Sequence, residues 1–301
     1  MSEVLPAGFY TDVNMSPTRG FSSPVETSKT PEPDTSGSRI ERFIDQPLIY
    51  ILDPNPEEAT RALGIDNCKV LFATALGLPP DSDRIRYFNV VDGDVPDSLE
   101  GVGGIIIGGS KFDAFGEYPN RDKLEDYVRT GIKREIPTFG VCFGHQIVYQ
   151  AIGGTVERGS KGRELGVFEI ELTDAGQKDP LFRGLPERFP QVQSHSDVAS
   201  KLPERSDIVV LAQTELYDNQ ATALGDRVRT VQFHPEETRK AIESVIRARA
   251  QIIRDEGYVT SDQDIEDLIA HAWSMPTETY GRQIVHNFDR YYVRPYARGE
   301  L

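Results

Sequence analysis

Cysteine is scarce in this chain: it accounts for two of the 301 residues. Two thiols exclude a framework of several disulfides, and no group of Cys and His residues has the spacing of a zinc site. A reducing compartment fits this usage best, so we expect a cytoplasmic protein.

The chain also has few positive charges relative to negative ones and no long hydrophobic runs. The formal net charge is -15, from 33 Lys and Arg against 48 Asp and Glu. This balance disfavours a polyanionic partner, and no basic stripe with interleaved aromatic residues offsets it. The start of the chain has no apolar signal core, and no run is long enough to cross a bilayer. We therefore expect neither nucleic acid nor a membrane as partner.

Nucleotide-binding motifs are absent on inspection. Gly154 and Gly159 have the spacing of a phosphate loop, but Ser160 and Lys161 follow in the reverse of the required order. The glycines at 101 and 103 lack a third glycine at position 106. The sequence predicts no nucleotide and no other cofactor.

The chain divides into three parts by composition. Residues 1–45 are rich in Ser, Thr, Pro and Glu, which predicts a disordered segment. Residues 46–240 alternate strand-like and helical patterns, which indicates an α/β domain whose sheet is mostly parallel. Later strands should be partly antiparallel, and a helix over 120–135 should have Asn120 as its cap. The predicted strands are 48–52, 85–91, 104–107, 167–172, 208–212, 221–224 and 228–233.

Residues 241–301 read as a helical C-terminal extension. Three apolar stripes are marked by Ile242, Val245, Ile246 and Ile253, by Ile265, Leu268, Ile269 and Ala272, and by Ile284, Phe288 and Tyr291. Ser261 should begin the second helix, while Pro276 and Pro295 should end the second and third. We expect these helices to pack on the domain and extend its core. The alternative is a docking surface for a partner or second subunit, with Trp273 as anchor.

The main candidate for chemistry is Cys142, which lies where an apolar run changes into a helical pattern. Gly140 and Gly144 flank it, as a sharp strand-to-helix turn requires. Such a turn places the sulfur over the first turn of a helix, where the thiolate is favoured. The alternative is a small, buried and inert cysteine.

A second segment offers a base and a carboxylate. His234 and Glu236 are two residues apart after an alternating pattern, so they should share one face of an extended chain, and Pro235 stiffens that spacing. Nucleophile, base and orienting acid are then present. The alternative is a loop histidine beside a solvated glutamate.

The segments G-V-C-F-G-H-Q at 140–146 and Q-F-H-P-E at 232–236 resemble the class I glutamine amidotransferase family. The resemblance implies a Cys142–His234–Glu236 triad that cleaves γ-glutamyl amides without a metal. It also implies a flavodoxin-like three-layer domain. The details are similar to the amidotransferase domain of GMP synthase and to γ-glutamyl peptidases.

Further positions follow from the same resemblance. The segment I-I-I-G-G-S at 105–110 is similar to the family's oxyanion strand, which implies that the N–H groups of Gly109 and Phe143 stabilise the oxyanion. Ser110 replaces a common proline. The resemblance places Ser194 and His195 near the backbone end of glutamine. Gln146, one helical turn after the nucleophile, is a further substrate-binding candidate because its amide can hydrogen-bond polar groups.

We expect hydrolysis of glutamine or of a γ-glutamyl peptide, such as a glutathione conjugate, through a thioester on Cys142. One alternative is a glutaminase subunit that supplies ammonia to a separate synthetase. The other is a regulatory protein that keeps the fold without turnover. A synthetase or a second copy of the chain could then bind through the C-terminal helices.

Overall fold

The computed structural model describes residues 46–205 and 207–301, so the predicted disordered segment 1–45 lies outside the described residues. The strands are β1 (Leu48–Asp53), β2 (Ile85–Asn89), β3 (Val102–Ile107), β4 (Thr138–Val141), β5 (Thr155–Arg158), β6 (Glu164–Leu172), β7 (Arg188–His195), β8 (Asp197–Lys201), β9 (Ile208–Gln213), β10 (Ala221–Leu224) and β11 (Val228–Val231). The α-helices are α1 (Glu57–Ala62), α2 (Cys68–Ala75), α3 (Arg121–Lys133), α4 (Phe143–Ala151), α5 (Arg239–Ala248), α6 (Ala250–Asp255), α7 (Asp262–Ser274), α8 (Thr277–Phe288) and α9 (Arg294–Ala297). Within this part of the chain, no helix is both long and apolar enough to cross a membrane.

A mixed sheet forms the centre of the molecule. Among the described residues it has nine strands in the order β2-β1-β3-β4-β11-β10-β9-β6-β7. The first five strands are parallel to one another, and the pairings from β11 to β7 are antiparallel. Strands β5 and β8 form a separate antiparallel pair. The expected parallel sheet with an antiparallel part is confirmed.

Helices cover both faces of this sheet. Along β3, Ile106 faces one hydrophobic core while Ile105 and Ile107 face the other, as the two-residue period of a strand requires. Helices α3 and α4 contribute to the core around Ile105, and α2 and α8 contribute to the core around Ile106. A central strand buried on both faces explains the continuous apolar run in the sequence. The predicted flavodoxin-like three-layer arrangement is confirmed.

The first two C-terminal stripes form helices that pack on the antiparallel end of the sheet. Side chains of α5 and α7, including Ile246 and Ile269, form one core with Leu165 of β6 and Val192 of β7. Ser261 begins α7 through a reciprocal capping box: its side chain accepts a hydrogen bond from the Asp264 N–H, and the Asp264 carboxylate accepts one from the Ser261 N–H.

The third stripe differs from its prediction. The α-helix ends at Phe288, and one π-helical turn, Asp289–Val293, leads into α9. Pro295 lies in the first turn of α9, where its missing N–H leaves no hydrogen bond unmade, so it does not end the helix as predicted. The π-turn also buries Tyr292 more deeply than the predicted Tyr291.

Two smaller predictions are corrected as well. Asn120 precedes α3 but does not cap it, because its backbone is left-handed (φ 59°) and its side-chain amide donates to the Val90 carbonyl, at 2.8 Å. The strand predicted over 228–233 ends at Val231. Beyond it the chain bends toward β7, where the His234 N–H donates to the Val192 carbonyl oxygen at 2.9 Å.

Candidate active site

Three loops meet at one edge of the sheet. Strands β3, β4 and β11 are parallel neighbours, so their carboxyl ends lie side by side. Gly109 follows β3, Cys142 follows β4 and His234 follows β11. A methyl group built on Gly109 would come within 2.6 Å of the His234 ring and 3.5 Å of the Cys142 Cβ. The structure therefore brings together these three residues, which the sequence singled out.

Cys142 occupies the turn between β4 and α4 in a strained conformation. Its φ of 52° and ψ of -102° lie where residues with a side chain are rare, at a cost of about 1–3 kcal/mol. The surrounding backbone holds it there: its N–H donates to the Val231 carbonyl at 2.8 Å, and its carbonyl accepts from the Gln146 N–H at 3.1 Å. The thiol thus lies at the amino end of α4, as predicted.

The two flanking glycines are required by close backbone contact. A methyl group on Gly140 would come within 2.5 Å of the Gly144 carbonyl oxygen. One on Gly144 would overlap the carbonyl of Ile107, the last residue of β3. The turn can close against the neighbouring strand only because neither position carries a side chain.

His234 lies between the thiol and a carboxylate. Its Nδ1 is 2.9 Å from Glu236 Oε1, and the ring lies against Gly109, which Cys142 also approaches. All three side chains are buried. The spacing of base and acid agrees with the prediction, although the residues lie in a bend after β11 and not in an extended strand.

A second carboxylate, which the sequence reasoning missed, faces the same ring. Glu237 Oε1 lies 3.5 Å from His234 Nδ1. Burial acts to lower the pKa of His234, but the charges of Glu237, Glu236 and Cys142 outweigh it and hold that pKa well above its ordinary value. Burial and the Glu236 charge raise the pKa of Glu237. The sequence does contain a signal for this second carboxylate, because residues 236 and 237 are adjacent glutamates.

The glycine loop after β3 is held by Asn55, another residue that the sequence reasoning missed. The Asn55 amide donates to the Gly109 carbonyl at 2.7 Å, and its carbonyl oxygen accepts from the Lys111 N–H at 2.9 Å. Ser110, in place of the common proline, donates its hydroxyl to the Pro54 carbonyl at 2.8 Å. Phe143 is the first residue of α4, where a backbone N–H has no intrahelical partner.

The three predicted substrate-binding residues line one cavity of about 210 Å³ together with Cys142. Gln146 Nε2 donates to the Asp197 carbonyl at 2.9 Å and to Gln232 Oε1 at 3.1 Å. His195 is fixed by the Glu164 carboxylate, 2.8 Å from its Nε2. The Ser194 hydroxyl accepts a hydrogen bond from an arginine that also lines the cavity.

The cavity is rich in charge of both signs. Its cations are Lys111, Arg158, Arg163 and Arg249, and its acids are Asp113 and Asp197. Burial and the nearby Asp113 carboxylate raise the pKa of Asp197 to about 6. Arg158 lies between the two acids, 3.1 Å from Asp197 and 3.6 Å from Asp113. Such a cavity suits a small zwitterionic or anionic molecule.

His234 and the two glutamates after it are residue types that can bind a metal ion. The ligand atoms of His234, Glu236 and Glu237 lie within 4.8 Å of one another. The imidazole Nδ1 already pairs with the Glu236 carboxylate at 2.9 Å, so an ion bound at Nδ1 would replace that hydrogen bond. The expectation of a metal-free reaction stays a prediction.

Fold and site together define an α/β protein with a thiol, an imidazole and carboxylates at the carboxyl edge of parallel strands, the groups that thiol-dependent acyl transfer needs. The family model described as "Glutamine amidotransferase class-I" matches residues 87–250. The chain belongs to this family, and the resemblance stated from its motifs is confirmed.

Relatives and solved structures agree with this membership. The chain is 29% identical to γ-glutamyl peptidase 4 of Arabidopsis thaliana over 203 residues, which cover 66% of this chain and 78% of the relative. It is 34% identical to a subunit of the glutamine-hydrolyzing GMP synthase of Methanothermobacter thermautotrophicus over 134 residues, 44% of this chain and 64% of that protein. A glutamine amidotransferase structure from Thermotoga maritima matches with a TM-score of 0.61 at 20% identity, covering 81% of this chain and 97% of the other. This last likeness concerns the fold.

Proposed function

We propose that this chain hydrolyses γ-glutamyl amide bonds through a thioester on Cys142. The observation that carries the proposal is the grouping of three side chains: the His234 ring and Cys142 both lie against Gly109, and His234 Nδ1 is 2.9 Å from Glu236 Oε1. Membership of the amidotransferase family and similarity to proteins named γ-glutamyl peptidase support it. The cytoplasmic location stays a prediction.

The first half-reaction forms the thioester. His234 takes the thiol proton, and the Cys142 sulfur bonds to the γ-amide carbon while the carbonyl electron pair moves onto oxygen. The N–H groups of Gly109 and Phe143 stabilise that oxyanion. Its collapse breaks the C–N bond, and His234 returns the proton to the departing nitrogen.

The second half-reaction releases glutamate. Water gives a proton to His234 and adds to the thioester carbon, and the new oxyanion uses the same two donors. When the C–S bond breaks, the sulfur recovers the proton and a γ-carboxyl group remains. Glu236 orients the imidazole throughout and stabilises it while it is protonated.

The chain supplies its own control for the nucleophile, because Cys68 is a second buried thiol. Burial and the Asp53 carboxylate raise the Cys68 pKa well above its ordinary value, so it should stay protonated and unreactive. A glutamine analogue with an electrophilic γ-carbon should label wild type and Cys68→Ala, but not Cys142→Ala, in intact-protein mass spectrometry. Hydrolysis of glutamine and glutathione should be lost in Cys142→Ala and retained in Cys68→Ala. Turnover that persists in Cys142→Ala would defeat the proposal.

A second candidate is a glutaminase subunit, favoured by the similarity to the GMP synthase subunit of Methanothermobacter thermautotrophicus. Release of glutamate from glutathione by the isolated protein supports the peptidase. Labelling of Cys142 without turnover of either substrate supports the glutaminase subunit, and absence of both labelling and turnover supports a regulatory protein.

A partner surface on the C-terminal helices also stays a proposal. Trp273 is 47% exposed, and its indole N–H donates to Glu243 Oε2 at 2.8 Å. The Arg239 guanidinium lies 5.6 Å from its ring centroid. Sedimentation of wild type and Trp273→Ala would show whether copies of the chain associate here.

A further inference from the structure

Three arginines line the cavity beside Cys142, and they differ in how they are paired. Arg158 contacts the carboxylates of Asp113 and Asp197. Arg163 makes two 2.8 Å hydrogen bonds to the Glu256 carboxylate. Within residues 46–205 and 207–301, Arg249 makes no ion pair of 4.0 Å or less with a carboxylate.

Arg249 reaches the cavity from the junction between α5 and α6. Its Nη1 donates to the Ser194 hydroxyl at 2.9 Å and to the Ser194 carbonyl at 3.2 Å, and both acceptors are uncharged. Burial and then the neighbouring Arg163 charge lower the Arg249 pKa. The carboxylates of Glu237 and Glu256 act on Arg249 without forming a close ion pair with it. A partly buried guanidinium without a close ion pair is costly, and an anionic ligand would offset that cost.

The glutamyl end of a substrate has other partners in the cavity. A γ-glutamyl group carries an ammonium and a carboxylate on its α-carbon. The cluster of Asp113, Arg158 and Asp197 offers carboxylates for the first and a guanidinium for the second. Ser194, which the family resemblance places near this end, is the hydrogen-bond partner of Arg249. Arg249 is therefore left for an anionic group elsewhere in the substrate on the condition that Arg158 takes the α-carboxylate.

Glutamine contains no such group, because its leaving group is ammonia. The leaving group of a γ-glutamyl peptide can carry a free C-terminal carboxylate. Ile252, 50% exposed and one turn further along the same segment, lines the cavity as well. It offers an apolar surface beside the guanidinium for a peptide side chain or a group attached to it.

We propose that Arg249 binds a carboxylate on the leaving group, so that the site selects γ-glutamyl peptides with a free C-terminus over glutamine. This inference rests on the proposed hydrolysis and adds the residue that sets substrate class. Arg249 acts on specificity and takes no part in the bond changes at Cys142.

The test compares glutathione with its C-terminal amide, which differs only in lacking that carboxylate. Wild type should have a kcat/KM about 10- to 100-fold higher for the acid, the range expected for a charge-assisted hydrogen-bonded pair. Arg249→Gln should remove this preference and leave the amide and glutamine changed by less than about 3-fold. Arg254→Gln is the matched control, because Arg254 lies on α6, the helix that Arg249 precedes, and pairs with Asp262 on the surface.

Two kinetic outcomes overturn the inference while the proposed function stands. One is equal use of acid and amide by wild type. The other is an equal loss on all three substrates in Arg249→Gln, which would mean that Arg249 only supports Ser194 or binds the glutamyl end.

If wild type hydrolyses neither glutathione, nor its amide, nor glutamine, the proposed function fails. The role of Arg249 is then tested separately by measuring binding. Calorimetry with Cys142→Ala should show tighter binding of glutathione than of its amide, and Arg249→Gln in that background should abolish the difference. Equal affinities in the Cys142→Ala protein would overturn the role of Arg249.

Discussion

At the scale of single residues, the protonation of the His234 imidazole is shifted by the charges around it. Two carboxylates face its Nδ1, at 2.9 Å for Glu236 and 3.5 Å for Glu237. Their charges, with that of Cys142, outweigh the effect of burial and raise its pKa well above the ordinary value. An imidazole with a raised pKa holds its proton more firmly, so the second carboxylate bears directly on proton transfer by this ring.

Glu237→Gln should therefore move the His234 titration to lower pH, because it removes one negative charge and keeps the shape of the side chain. NMR titration of the imidazole signals measures this shift, with the His234 signal assigned by its loss in His234→Gln. Glu266→Gln, an exposed acid paired with Arg247, should leave the titration unchanged. A His234 pKa that is the same in Glu237→Gln as in wild type would contradict the assignment.

The same raised pKa makes folding stability depend on pH. Protonation of His234 stabilises the fold fully below the ordinary pKa of 6.5, and the contribution is lost as pH rises through the higher folded-state pKa. Over that range the free energy of unfolding of wild type should fall relative to that of His234→Gln. Chemical denaturation of both proteins at a series of pH values provides the comparison, and parallel curves would rule out this coupling.

At the scale of elements, helix α7 is fixed at its start by local chemistry. The Ser261 hydroxyl accepts from the Asp264 N–H at 3.2 Å, and Asp264 Oδ2 accepts from the Ser261 N–H at 2.9 Å. Ser261→Ala should lower the free energy of unfolding by about 1 kcal/mol. Ser274→Ala, at the other end of α7, removes only an exposed hydroxyl bond to the His271 carbonyl and should change it by less than about 0.5 kcal/mol. Equal effects of the two substitutions in urea denaturation would refute the capping argument.

The helices and strands with a strong hydrophobic periodicity could be predicted from the sequence. The ends of β3 and β4 could be predicted because the apolar run of β3 stops at two glycines and that of β4 changes into a helical pattern at Cys142, between Gly140 and Gly144. Glu237 and Arg249 were not found, since one follows a bend after β11 and the other lies where α5 breaks into α6. Periodicity gives side-chain direction inside an element and gives none in a turn or junction.

At the scale of the whole molecule, charge is distributed unevenly. The chain carries a formal net charge of -15, yet four cations and two acids line the cavity beside Cys142. The proposed anionic substrate would be repelled by the net charge of the chain and attracted by the cations of the cavity. This contrast favours selection by close ion pairs inside the cavity over long-range electrostatic steering.

The C-terminal segment is part of the central core. Ile284, Phe288 and Val293 lie in the same hydrophobic cluster as Ile106 of β3. Contact is close enough that a methyl group on Gly104 of β3 would come within 2.6 Å of Val293 Cγ2. An ion pair reinforces the contact, because Asp289 forms two hydrogen bonds with the Arg84 guanidinium, which precedes β2.

Removal of residues 276–301 should therefore abolish cooperative folding. The segment buries five large side chains in that cluster, Ile284, Val285, Phe288, Tyr292 and Val293. At about 1.5–3 kcal/mol for each buried side chain, their loss is comparable with the total stability of about 5–15 kcal/mol typical of a domain. Circular dichroism during thermal unfolding should show no cooperative transition in the truncated protein.

Two further variants bracket this result. Phe288→Ala should still fold, with a free energy of unfolding lower than that of wild type by about 3–5 kcal/mol. Removal of residues 299–301, which are exposed, should leave the melting temperature and the labelling of Cys142 unchanged. A truncated chain that melts cooperatively at the wild-type temperature would mean that the sheet does not need these helices, and they would then have to be explained as a surface for a partner.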